Sequence, residues 1–248
     1  IRLRLRFRSN ALNSDEDGGF DGDGPVQVDD VVLACSHGTF SEDFESDGNG
    51  TRYETSTLEF TDGSGDFFTR TDGPNIGSFY NVTGFGGSSY FAAMDLDGEG
   101  ASLPLTLTFN NIDISGFSDL AFSVDLAEDD DGSNQDWDLT DFVKFEYRID
   151  GGAFQNLLAV VSIPDGDNFN AVPAIDTDFD GNGDGTEITD TFATFVASIA
   201  GTGSSLDLRT TYNLNSGDED LSIDNLKIER PSPHNDGGGE TTPQIVIS

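Results

Sequence analysis

The chain has 248 residues, with 47 acidic residues against 11 basic ones and a formal net charge of −36. That balance argues against nucleic acid as a partner, because phosphate binding needs clustered Lys and Arg, and against anionic membrane surfaces for the same reason. Twenty Phe and five Tyr describe a chain that buries a core, while one Cys and one Met leave no means for a disulfide framework, a thiolate zinc site or haem attachment.

The acidity fits a protein of a salty or extracellular setting, or a protein that binds cations. Cys35 reads as a small buried hydrophobe. No apolar run is long enough to span a membrane.

In chain order, "IRLRLRFRS" alternates without the apolar core of a signal peptide, so if the protein is secreted its signal is expected outside the sequence given. The opening "IRLRLRFRSNALNSDEDGG…VQVDDVVL" parallels "SSLDLRTTYNLNSGDED…LSIDNLKI" near the other end. Each is an alternating strand, an acidic turn and a second strand, which suggests tandem modules. The alternative is that any two hairpins share these features. Residues 1–38 are therefore expected to be the C-terminal hairpin of a preceding module, or strands exchanged with another copy. An isolated hairpin is marginal in water and needs a sheet to join.

Residues 39–229 read as a complete module. "SLPLTLTF" puts Leu103, Leu105, Leu107 and Phe109 on one face, and "LAFSVDLA", "DFVKFEYRID", "ATFVASIAG", "LDLRTTYNL" and "LSIDNLKIE" alternate in the same way. Thirty Gly, many in turn pairs, punctuate these runs. The pattern predicts an all-β fold, an antiparallel jelly-roll β-sandwich with calcium-binding loops. Residues 230–243, "RPSPHNDGGGETTP", read as a Pro/Gly-rich linker. Residues 244–248, "QIVIS", read as the first strand of a following domain.

The densest chemistry is "DTDFDGNGDGTE", Asp176 to Glu187. Asp176, Asp178, Asp180, Asp184 and Glu187 stand at loop positions 1, 3, 5, 9 and 12, Gly181 at 6 and Asn182 at 7. This is the spacing with which a twelve-residue loop wraps Ca²⁺. The flanking helices of an EF-hand are missing, since "NFNAVPAI" and "TFATFVASI" are β-like and Pro173 opposes a helix. The loop is thus either a calcium loop between strands or an acidic turn of a salt-adapted surface.

A second expected site pairs Glu45, with Asp43, from the first strand region and Asp224 from the last, sharing one ion across the module's termini. A buried Asp in an apolar strand needs a cation or hydrogen-bond donors, and donors are the competing reading for Asp224. The loops Asp95–Glu99 and Asp125–Asp138 either hold an ion or are solvated turns, and since neither has a spacing that discriminates, solvated turns are expected.

Trp137, Tyr80 and Tyr90, with Phe91, are candidates for a sugar-stacking platform, or for core packing. The two His, His37 and His234, sit in no recognisable nucleophile setting, and no catalytic residue is expected. Asn49 and Asn81 stand in glycosylation sequons.

Together "TFSEDFES", "SDLAFSVDLAED", "WDLTDFVKFEYRIDGGAF", the Asp176–Glu187 region and "LSIDNLKI" resemble the jelly-roll modules of large secreted bacterial surface proteins. "PQIVIS" is similar to the start of a lamin-tail domain. The resemblance implies a concanavalin-like or galactose-binding-like sandwich that is calcium-stabilised and non-catalytic. It implies a cell-surface role in adhesion, cohesion or filament assembly, with neighbouring modules or other copies as partners. The alternative is a carbohydrate-binding module of a secreted polysaccharide-degrading enzyme, with a glycan as partner. The orphan hairpin departs from a single-module pattern.

Overall fold

The computed structural model describes residues 38–129, 135–164 and 171–230. The expected hairpin before Gly38, the linker beyond Arg230, the strand at 244–248, Cys35, His37 and His234 lie outside the described residues. Every regular element among the described residues is a strand: β1 (Gly38–Glu42), β2 (Glu54–Thr55), β3 (Phe60–Thr61), β4 (Phe67–Thr71), β5 (Tyr90–Met94), β6 (Leu105–Asp113), β7 (Leu120–Ala127), β8 (Phe142–Ile149), β9 (Gln155–Ser162), β10 (Pro173–Ile175), β11 (Ala193–Ile199), β12 (Ser205–Asn213) and β13 (Asp220–Glu229). No helix there is long and apolar enough to cross a membrane.

The strands form two antiparallel sheets, a jelly-roll β-sandwich. One runs β11-β7-β13-β5-β4-β3 with β1 also on β13, and the other runs β10-β9-β8-β12-β6-β2. β13 is the hub of the first sheet. Its first half pairs with β5 (Leu221↔Ala93) and its second half with β1 (Phe40↔Ile228), both on one edge, while β7 holds the other. A bulge between Asp224 and Lys227, with Asn225 at φ 48°, separates the two halves and re-aims the strand.

The two-residue side-chain period of a strand explains the interior. Val143, Phe145 and Tyr147 of β8, and Leu206, Leu208 and Tyr212 of β12, point inward and are buried against Leu107, Phe109, Phe122 and Val124. Intervening residues point out and pair across strands in register. Arg209 meets Glu146 at 2.6 Å and Arg148 meets Asp207 at 2.8 Å, with the Phe154 ring packed under both guanidinium groups.

β5 is buried on both faces. Phe91 and Ala93 join the main core, while Tyr90, Ala92 and Met94 join a second cluster with Phe67, Ile76, Tyr80 and Val82. The segment between β4 and β5 supplies Ile76, Tyr80 and Val82, so it covers the face of the sheet that would otherwise meet water.

Candidate metal-binding loops

The loop from Asp176 to Glu187 is held by backbone bonds rather than by flanking helices. The Asp176 N–H donates to Ala159 O at 3.0 Å, Gly183 N–H to Ser162 O at 2.9 Å, and Asp184 and Gly185 N–H to Ile175 O at 3.1 and 2.7 Å. These tie both arms of the loop to β9 and β10. Gly181, at the expected sixth position, has φ 93°, a conformation that L side chains rarely adopt.

Within this frame one carboxylate oxygen from each of Asp176, Asp178 and Asp180 lies within 4.8 Å of the others. Asp176 is buried and the other two are exposed. The loop's own N–H groups turn inward: Gly181 N–H donates to Asp176 Oδ2 at 2.9 Å, and Asp180 N–H to Asp176 Oδ1 and Asp178 Oδ1, each at 3.2 Å.

Two further expected carboxylates, Asp184 and Glu187, are not part of this compact group, and Asn182, expected to offer its backbone carbonyl, follows it. Asn182 donates its backbone N–H and its side-chain amide to Asp180 Oδ1, each at 2.9 Å. Asp184 turns back to the Thr177 N–H and hydroxyl, at 2.9 and 2.8 Å, which hold its carboxyl below the usual carboxylate range. Glu187 is exposed, and its backbone bridges to Ala174. After the turn the chain runs back antiparallel to β10, with Glu187 opposite Ala174.

The expected Glu45–Asp224 clamp takes another form. Glu45 Oε1 accepts from Ser88 and Ser89 N–H at 2.7 and 2.9 Å, and Oε2 from the Ser88 hydroxyl at 2.8 Å. Asp224, fully buried, accepts from Gly86 N–H at 2.7 Å and Asn225 N–H at 2.7 Å. Both carboxylates hold the turn at 86–89, and Asp43 accepts from Glu45 N–H in its own loop at 3.3 Å. Burial pushes the Asp224 carboxyl up to about 6, against the two backbone bonds that favour its ionised form.

The proposed sugar platform is corrected. Trp137 is 0% exposed, Tyr80 8% and Tyr90 3%, so none presents a ring face to solvent, and Phe91 is buried in the main core. Trp137 packs in the main core and pairs its backbone with Ala171, while Tyr80 sits edge-on to Phe67 and donates its hydroxyl to Asp220 Oδ1 at 2.7 Å. A Trp flanked by acidic residues looks like a surface residue in sequence. The surrounding strands override that local signal.

Two other carboxylate groups join Glu99 and Asp138, from the two acidic loops expected to be solvated turns, to carboxylates the sequence did not place with them. Asp62, Asp66 and Glu99 gather in a mostly exposed cluster beside Asp95, whose carboxyl burial and the neighbouring Asp66 push up to about 6. Asp138, Asp141 and Glu219 form the other. Strand register is the signal for both: Phe67 pairs with Met94 and Phe142 with Asn213, so the residues just beyond those ends meet.

No family model matches the chain and no curated protein matches it. Among solved structures it is similar to the CBM22-1 xylan-binding domain of Paenibacillus barcinonensis Xyn10C, at 14% identity over 79% of this chain and 97% of that one, with a TM-score of 0.38. A cleaved adhesin domain of the Lys-gingipain of Porphyromonas gingivalis matches at 14% identity over 78% and 98% of the two chains, TM-score 0.39. A Stig cyclase of Fischerella sp. TAU matches at 14% identity over 78% and 89%, TM-score 0.42. At that distance the roles of these proteins do not transfer, and the fold assignment rests on the strand pairing itself.

Proposed function

We propose that the chain is a non-catalytic, calcium-stabilised β-sandwich module of an extracellular multimodular protein, working in adhesion or cohesion with neighbouring modules or other copies of itself. The observation that carries this reading is the convergence of Asp176, Asp178 and Asp180 within 4.8 Å, in a loop pinned to β9 and β10. A hard cation supplies what such a group needs, since like charges so close repel strongly unless neutralised. The net charge of −36 extends the same argument to the whole surface. An ion that binds only the native state stabilises it by RT ln(1 + [L]/Kd), about 2.7 kcal/mol at a hundredfold excess over Kd.

Calcium added to the chelator-treated chain should raise the melting temperature by several degrees, and Asp178→Asn should lose part of that rise. An unchanged melt would remove calcium from the account. Cohesion through exchange of residues 1–38 or 244–248 predicts calcium-dependent polymers in negative-stain images. A monodisperse monomer at high calcium would argue against exchange.

A glycan-binding reading keeps one observation in its favour. The outer face of the β8–β12 pair carries Phe154 between Arg148 and Arg209, at 4.8 and 3.9 Å from the ring centroid. Arg209→Ala abolishing binding on a glycan array would support it, and an array without hits would remove it.

A further inference from the structure

At one end of the sandwich three carboxyl groups meet without a counter-charge. Register pairs Asn213 with Phe142, and the Asn213 side-chain amide donates to Thr140 O at 3.0 Å, so the turn after β12 lies beside the turn before β8. That places Glu219 next to Asp138 and Asp141, with one oxygen of each within 4.8 Å of the others. Asp141 and Glu219 are each only 2% exposed, and Asp138 is half-buried and keeps the group open to solvent.

The hydrogen bonds are one-sided. Glu219 Oε2 accepts from Asn215 and Ser216 N–H at 2.6 and 2.9 Å. Asp141 Oδ2 accepts from Asp138 N–H at 2.5 Å, and Asp138 Oδ1 from the Thr140 N–H and hydroxyl at 2.6 and 2.7 Å. Asp141 Oδ1 is buried and receives no N–H or hydroxyl donor, and the Asp141 and Glu219 carboxyls stand close enough to hydrogen-bond each other when one of them carries a proton. No Lys or Arg among the described residues is paired with the group. Burial, then their mutual repulsion, push the Glu219 carboxyl above its ordinary value, and burial pushes Asp141 up as well.

Two buried carboxyls facing each other need either a shared proton or a cation between them. We infer that Asp138, Asp141 and Glu219 form a second divalent-cation site, of the calcium type, where β12 turns into β13. The ligand set is all carboxylate oxygen, which selects hard cations over zinc or copper. The three oxygens lie within 4.8 Å of one another, so one ion can touch all of them at calcium–oxygen distances of about 2.3–2.6 Å. The inference uses no residue of the Asp176–Glu187 loop, so either site can fail without the other.

Calorimetric titration of calcium into the chelator-treated full chain, Glu219→Gln and Asp178→Asn tests it. Glu219→Gln should bind one calcium fewer than the parent, and Asp178→Asn should keep the event that Glu219→Gln loses. Equal stoichiometry and affinity in Glu219→Gln and the parent would overturn the site. If Glu219→Gln does not fold, crystals of the parent grown with calcium decide. An ion in contact with Asp141 and Glu219 supports the site, and a proton shared between the two carboxyls with no ion there overturns it.

Discussion

Glu45 and Asp224 hold one turn from two sides: Glu45 accepts the Ser88 and Ser89 N–H groups, while Asp224 accepts that of Gly86. Asp224 lies on β13 at the bulge and Glu45 follows β1, the strand paired with the second half of β13. The two carboxylates therefore fasten the 86–89 turn onto the strands that close the module. Asp224→Ala should cost about 1–3 kcal/mol, the usual penalty for leaving a buried N–H unpaired, read as a lower midpoint in urea with an unchanged slope.

Gly87 lies between these anchors with φ 68°, and a Cβ there would stand 2.4 Å from Glu45 Oε1. Gly87→Ala should destabilise by more than the ordinary cost of a strained residue, about 1–3 kcal/mol, because it also pushes Glu45 away from Ser88. A melt equal to the parent's would show that the turn does not depend on this anchor.

Trp137 is the largest fully buried side chain. Trp137→Ala should cost about 3–5 kcal/mol through the cavity it leaves. The expected result is a large drop in melting temperature. A variant that melts like the parent would mean the ring does not pack as described.

The β-sandwich was legible because alternation is local: Leu105, Leu107 and Phe109 show their face within five residues, and the structure buries all three. The Asp176–Asp180 cluster was legible for the same reason, its ligands being alternate residues of one turn. The turn of Asp184 toward Thr177 was not legible, since spacing cannot show which neighbour holds a carboxyl. The Asp138–Asp141–Glu219 group was missed because Glu219 reaches Asp141 only through the β8–β12 register. For Trp137, Tyr80 and Tyr90 the core-packing reading holds and the sugar platform does not, a choice the sequence left open because the residues that cover them come from distant segments. Tyr90, for example, packs on Phe192 at 5.7 Å between centroids.

The cross-strand pair Arg209–Glu146 is directly in register at 2.6 Å and partly exposed. Double-mutant cycles at such pairs give about 0.2–1 kcal/mol. The coupling here should fall in that range and shrink with added salt. Arg209→Ala alone should cost more than the coupling, because it also removes the contact with Phe154.

The buried carboxyls give the chelated chain an unusual pH profile. Burial raises Asp224 to about 6, and burial also raises Asp220, Asp141 and Glu219 above the ordinary range. An acid with a raised pKa in the folded state holds protons that the unfolded chain has released, so stability falls as pH rises from about 4 through the folded values. Glu45, Asp113 and Asp184 are shifted downward, and their opposite contribution acts near and below pH 4. Exposed carboxylates are already ionised above about pH 5, so general repulsion changes little across the window. After chelation the melting temperature should therefore decline between about pH 5 and pH 8. Asp224→Asn should make that decline shallower, because its amide does not ionise. Added calcium should flatten it further, since a bound cation favours the ionised oxygens. A chelated chain whose stability climbs over the same interval would mean that these carboxyls are solvated and that the interior carries no charge in need of a cation.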